Sequence, residues 1–282
     1  MTFNMTPSIY LPLSTYPDPV EAGSLKAAIA VARRVGACIT GAGVEVDIPP
    51  VKNKLADAIL NIQDQIRAVE QTSRAHAERL LKELVRLGES SGVTVTCESV
   101  RAQPALLDDA ILRDARFHDL IVLPMSRDNP TAQATAGALI FGSGRPVLLL
   151  AAQDDMAPNL DTVVVATDFS RVATRAMFDA QPFLMRAGKI SVVTVTDEKD
   201  VSHGDRFALA AHFKRQGLAA ELIQLEARGT SVGAVLENYI EQIGGGLLVM
   251  GAFGHSRLRD FILGGATRSV LASLRHPVLM SY

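Results

Sequence analysis

Four glycines frame a stretch of this chain whose residue types suit the binding of an anion. Gly251 and Gly254 follow the apolar run Leu247-Leu248-Val249-Met250, and Gly264 and Gly265 stand before Ala266, Thr267 and an apolar-periodic segment through Val270, Leu271 and Leu274. Glycine permits positive φ and lets a backbone come close to a ligand. The first N–H groups of a helix have no partner within it and point outward as donors to anions. A buried-strand run, two glycines, a polar loop carrying His255, Arg257 and Arg259, and a helix opened by two more glycines together outline a phosphate cradle. Its main-chain donors would be Gly254, Gly265, Ala266 and Thr267, with Gly251 and Gly264 leaving room for close approach. Arg257 and Arg259 either neutralise phosphate charge or remain solvated.

The elements that must hold this cradle recur through the chain. Ser8 to Leu13, Ala37 to Val46, Val93 to Val100, Asp119 to Pro124 and Pro146 to Leu150 read as strands. Helical spacing marks Val20 to Val35, Leu55 to Leu87, Ala105 to Asp114 and a segment around Ala132 to Phe141 between them. After a polar linker, Gln153 to Asn159, the alternation repeats. Strands are expected at Thr162 to Ala166, Ile190 to Thr196, Ala219 to Leu225, Leu247 to Met250 and Pro277 to Ser281. The helices between them fall at Val172 to Arg186, Arg206 to Arg215, Val232 to Ile243 and Gly265 to Leu274. Two βαβαβαβαβ units predict two parallel, doubly wound α/β domains, 1–153 and 159–282. Ser8 to Thr15 aligns without a gap on Asp161 to Asp168, and Arg145-Pro146-Val147-Leu148 on His276-Pro277-Val278-Leu279, so the halves read as a duplication.

The duplication exposes an asymmetry. Pro124 stands where the second half has Gly251, the following loop is four residues shorter, and Gln133, Ala134 and Ala136 fall where Gly264, Gly265 and Thr267 stand. Thr15 occupies the place of Asp168. The first half is expected to keep the fold without the cradle, as an architectural element or as the holder of a different ligand.

Composition restricts the partners. A chain of 282 residues, 48% hydrophobic and 21% charged, buries a core without disulfides or metals. With 28 Lys plus Arg against 30 Asp plus Glu there is no charge bias for nucleic acid or anionic membrane, so an anion site must be local. Cys38 and Cys97, without CxxC spacing, suit a reducing cytoplasm. The N-terminal apolar run has no preceding Lys or Arg and is broken by Pro12 and Pro17, so neither a signal peptide nor a membrane anchor is expected.

At this point the chain resembles the universal stress protein family in its tandem form. That family's nucleotide motif is Gly, two residues, Gly, nine residues, Gly, then Ser or Thr; here it stands as Gly251, Gly254 and Gly264, with Gly265 in the hydroxyl position. The family's Thr-Asp after the first strand is present as Thr167-Asp168, and Val195 stands where the family lines the adenine pocket. The resemblance implies Rossmann-like five-stranded sheets of order 3-2-1-4-5, with ligand beyond the carboxyl ends of the first and fourth strands. It implies antiparallel pairing of the fifth strands, Val147 to Leu150 with Val278 to Met280. It implies ATP, with or without Mg2+, bound in the second half only as part of a stress-response sensor. The binding residues it implies are Ala166, Thr167, Asp168, Val195, Met250, Gly251, Gly254, His255, Arg257, Gly264, Gly265, Ala266 and Thr267. A homodimer and an unknown protein partner stay open, as do a slow ATPase and a ligand-free scaffold.

Gly265 departs from the family pattern. A hydroxyl hydrogen bond to a charged phosphate contributes about 1.5–3 kcal/mol, so its loss is expected to weaken binding roughly ten- to hundredfold without abolishing a site built mainly of backbone donors. Thr267 is a candidate partial substitute. Gly229-Thr230-Ser231-Val232-Gly233 matches the GxSxG pattern of hydrolases, followed by Asp260 and His276, but no HGGG-like oxyanion loop accompanies it. Thr230 or Ser231 reads instead as a helix N-cap. The six histidines lack metal-ligand spacing, and no GxxxxGK[ST] is present, so a catalytic role is not assigned.

Overall fold

The computed structural model describes residues 6–50, 61–126, 129–151, 157–196, 203–252 and 265–282. The first half builds strands β1 (Ser8–Ser14), β2 (Cys38–Val46), β3 (Val95–Ala102), β4 (Leu120–Met125) and β5 (Val147–Ala151). Between them lie helices α1 (Gly23–Val35), α2 (Ile62–Ser91), α3 (Leu107–Ala115), preceded by a 3-10 turn at Pro104–Leu106, and α4 (Pro130–Gly142). The second half supplies β6 (Thr162–Ala166), α5 (Arg171–Asp179), α6 (Gln181–Leu184), β7 (Lys189–Thr196), α7 (His203–Arg215) and β8 (Ala220–Glu226). It continues with α8 (Val232–Gln242), β9 (Leu247–Gly251), α9 (Gly265–Ser273) and β10 (Val278–Ser281).

All ten strands form a single sheet of order β3-β2-β1-β4-β5-β10-β9-β6-β7-β8. Each half has the order 3-2-1-4-5, parallel throughout, and the two join where β5 and β10 pair antiparallel, Val278 opposite Leu149 and Met280 opposite Val147. Apolar runs such as Leu148-Leu149 and Leu279-Met280 can tolerate this position because helices cover the sheet on both faces. Val147, Leu148, Leu149, Leu279 and Met280 are all buried, and full burial of such side chains contributes about 1.5–3 kcal/mol each. The outer strands β3 and β8 are more exposed and carry the charged residues Glu98, Arg101, Glu221 and Glu226, which suits a sheet edge.

Two cores lie on opposite faces of the sheet. One gathers Leu25, Leu80, Leu84, Ala176, Phe183 and Phe213, from α1, α2, α5, α6 and α7. The other gathers Ile111, Leu139, Leu236, Ile240 and Val270, from α3, α4, α8 and α9. Helix α2 lies close on β2 because Gly41 presents no side chain: a Cβ there would fall 2.5 Å from Leu84 Cδ2. The halves also meet through Arg34 of α1, which is 3.0 Å from the Asp161 carboxylate and donates to the Arg186 carbonyl oxygen.

Several element boundaries differ from the sequence expectation, three of them for a clear physical reason or by their reach. α1 begins at Gly23 and not at Val20, because the Val20 N–H donates back to the Ser14 carbonyl and is still part of the loop. The helix expected from Val172 to Arg186 divides into α5 and α6 around Ala180, where Pro182, lacking an N–H, opens the second segment. Helix α2 runs on to Ser91 and ends at Gly92 in the left-handed region, while residues 55–60 of the expected helix lie outside the described residues.

Candidate functional site

The point where a doubly wound sheet leaves a crevice is set by which face each strand's helix takes. In the second half β6 leads into α5 on one face, whereas its neighbour β9 leads towards α9 on the other. The chain therefore parts between the carboxyl ends of β6 and β9.

The residues after β6 form a tightly bonded turn. Thr167 N–H donates to the Val193 carbonyl at 2.9 Å, extending the ladder with β7. Its hydroxyl oxygen accepts from Phe169 N–H at 3.0 Å, and the Asp168 carboxylate accepts from Ser170 N–H at 3.0 Å. Ser170 then caps α5, accepting from Ala173 N–H at 3.3 Å. The turn needs Phe169 at φ 61°, a conformation uncommon outside glycine, and it leaves Asp168 exposed at the crevice mouth. Ala166 and Val195 are half-buried and pack on the same core as Met250, so these three positions from β6, β7 and β9 share one face of the sheet.

Gly251 has a packing reason for its missing side chain. A Cβ at residue 251 would lie 2.5 Å from Ala173 N and 2.6 Å from Val172 C. Its missing side chain makes room for the first turn of α5, and the close approach is between two parts of the protein. On the other side of the crevice α9 starts at Gly265, with Ala266 half-buried and Thr267 only 2% exposed. Thr267 thus belongs to the interior at the first turn of α9. Gly254, His255, Arg257, Arg259 and Gly264 lie outside the described residues.

The corresponding positions of the first half are committed to structure. Thr15, in the place of Asp168, is 4% exposed; its hydroxyl donates to the Val44 carbonyl at 2.6 Å and lies 2.6 Å from Ser73 Oγ of α2. Ser73 Oγ in turn accepts from Val46 N–H at 3.0 Å. At the start of α4 the Asn129 side chain accepts from Ala132 N–H at 3.0 Å and donates to the Asp18 carboxylate at 3.1 Å. Sequence reading missed this cap, although Asn followed by Pro130 at the first helical position signals it.

The hydrolase-like pattern resolves as a helix start. Ser231 Oγ accepts from Ala234 N–H at 3.3 Å and sits 3.3 Å from Ser269 Oγ. His276 precedes β10 and so lies at the amino end of the sheet, while Ser231 follows β8 at the carboxyl end. Asp260 lies outside the described residues.

Residues 159–281 match the model of the Universal stress protein family. No curated protein matches the chain. Among solved structures, a universal stress protein from Archaeoglobus fulgidus is similar at 18% identity and TM-score 0.72, over 97% of this chain and 97% of that one. A putative universal stress protein from Pseudomonas aeruginosa is similar at 15% identity and TM-score 0.59, over 98% and 93% of the two chains. A universal stress protein family protein from Arabidopsis thaliana, solved with AMP bound, is 19% identical with TM-score 0.35, over 53% of this chain and 94% of that one. The first two likenesses are of fold and extend over both halves. The second half, residues 159–281, is thus a domain of the Universal stress protein family, and the first half sets the same fold in tandem before it.

Proposed function

We propose that this protein binds an adenine nucleotide, ATP, in the crevice between β6 and β9, and that it acts as a nucleotide-responsive module of the stress response. Family membership of the second half supports a stress-related nucleotide-binding role. The observation that carries the finer reading is the contrast between the halves. Asp168 stands exposed at the carboxyl end of β6, while Thr15 in its place is buried and hydrogen-bonded to β2 and α2, and α4 is capped by Asn129.

In this reading Asp168 and Thr167 hold the ribose end, and Ala166, Val195 and Met250 border the base. Backbone N–H groups of Gly265, Ala266 and Thr267, at the positive end of a helix, receive the phosphates, joined by Gly254 and Gly264 and by His255 and Arg257 of the intervening loop. Gly251 supports the site by seating α5 and not by touching the nucleotide. Mg2+ is a companion of the phosphates only if the nucleotide brings it. Calorimetric titration of ATP into the purified chain tests the reading, with binding expected to weaken in Asp168→Ala and to persist in Thr15→Val. Absence of binding at millimolar ATP overturns it.

A further inference from the structure

Helices α8 and α9 both open at the carboxyl end of the second-half sheet and lie against one another. Leu236 and Ile240 of α8 share a core with Val270 and Leu271 of α9. At the open end of the pair stands Gly233, the second residue of α8, and it is buried. A Cβ at residue 233 would lie 2.8 Å from Ser269 Cβ, 2.9 Å from Ser269 Oγ and 3.0 Å from the Ala266 carbonyl oxygen. Ser231, which caps α8, has its Oγ 3.3 Å from Ser269 Oγ as well. The start of α8 is thus in close contact with the opening turns of α9.

Glycine within a helix loses more conformational freedom on folding than alanine does, so its place in α8 asks for a compensating gain. Room for α9 is that gain. Ser269 Cβ is fixed to the α9 backbone and cannot swing aside by a side-chain rotation. The Ala266 carbonyl and the Thr267 N–H belong to one planar peptide unit, so a group pressing on the carbonyl also turns the amide. Thr267 N–H is among the first four of α9, which have no acceptor within the helix. Hydrogen bonds weaken steeply as the donor angle closes, so the tilt of this first turn decides how well its N–H groups meet an anion.

We propose that Gly233 is a positioning residue for the nucleotide phosphates: by letting α8 seat the first turn of α9, it aims that turn's N–H groups. The inference rests on the nucleotide reading of the crevice. The test compares the full-length parent with Gly233→Ala, Ser269→Gly and the double variant, by backbone-amide NMR without nucleotide, thermal unfolding and calorimetric ATP titration. In Gly233→Ala the amides of Gly265, Ala266 and Thr267 are expected to shift, and ATP to bind roughly ten- to hundredfold more weakly, as for the loss of an aimed bond to a charged group. Ser269→Gly puts a glycine inside α9 and is expected to lower the unfolding midpoint while leaving ATP affinity unchanged. The double variant, relieved of the Ser269 contact, is expected to bind ATP within about threefold of the parent although its midpoint stays low. A purely structural role would instead make affinity follow stability. The double variant also decides the matter where Gly233→Ala alone does not fold. Unmoved α9 amides or parent-like ATP affinity in Gly233→Ala, or a double variant that fails to recover binding, overturns this inference while the nucleotide reading stands. A parent that binds no ATP overturns both.

Discussion

The hydroxyl groups of Thr15 and Ser73 lie 2.6 Å apart and complete a chain of donors running from Val46 N–H through Ser73 and Thr15 to the Val44 carbonyl. This chain ties the end of β1 to β2 and α2 at the place where the second half exposes Asp168. A duplicated fold has thus used equivalent positions for two purposes: an internal fastening in the earlier copy and an exposed carboxylate in the later one.

Thr15→Val keeps the shape and removes the link. It leaves Ser73 and the Val44 carbonyl without their partner, so the expected loss of stability is about 1–3 kcal/mol. Urea unfolding followed by circular dichroism measures it, and ATP titration of the same variant is expected to be unchanged. A variant as stable as the parent would remove the structural role given to Thr15.

Gly251→Val distinguishes the two meanings of a glycine at the cradle. The added side chain meets the backbone of Val172 and Ala173, so the variant is expected to lose about 1–3 kcal/mol or more of stability by overpacking, in the absence of any nucleotide. Thermal unfolding of the nucleotide-free protein checks this. An unchanged midpoint, with ATP binding lost, would return Gly251 to direct contact with phosphate.

Gly265→Ser restores the hydroxyl of the family motif. Placed at the first turn of α9, it is expected to raise ATP affinity by roughly ten- to hundredfold, measured by calorimetry. No gain would mean that the first turn of α9 is not where the phosphates lie.

His276 introduces a pH dependence of known sign. Burial holds its imidazole below the ordinary histidine range; Glu241 works against this and Arg275 in the same direction, while Nε2 is buried without a partner among the described residues. The unfolded chain therefore takes up the proton first as pH drops. The stability contribution is present above about pH 6.5 and is lost as pH falls through the lower folded-state value. Urea midpoints measured across that window are expected to fall with pH, and His276→Phe to flatten the trend.

Much of this was legible in the chain. The parallel, doubly wound sheet followed from the βα alternation, whereas the strand order and the β5–β10 seam were implied by the family resemblance. Other features depend on geometry that spacing does not encode. The division between α5 and α6 was marked by Pro182, but the apolar period runs across it and conceals the break. The start of α1 is fixed by a backbone bond from Val20 to Ser14 that no residue type announces. Gly251 is the sharpest case at the site, since glycine serves equally a ligand or a neighbouring helix, and the closeness of Val172 and Ala173 is visible only in the fold. Thr15 and Asp168 could be aligned, but the inward turn of Thr15 rests on Ser73, a residue far along the sequence.

The most direct measurement is the stoichiometry of ATP binding by calorimetry on the parent, Asp168→Ala and Thr15→Val. The account predicts one ATP per chain for the parent and for Thr15→Val, and binding weakened or lost in Asp168→Ala. Two ATP per chain, none at all, or affinity that survives Asp168→Ala while vanishing in Thr15→Val would contradict it.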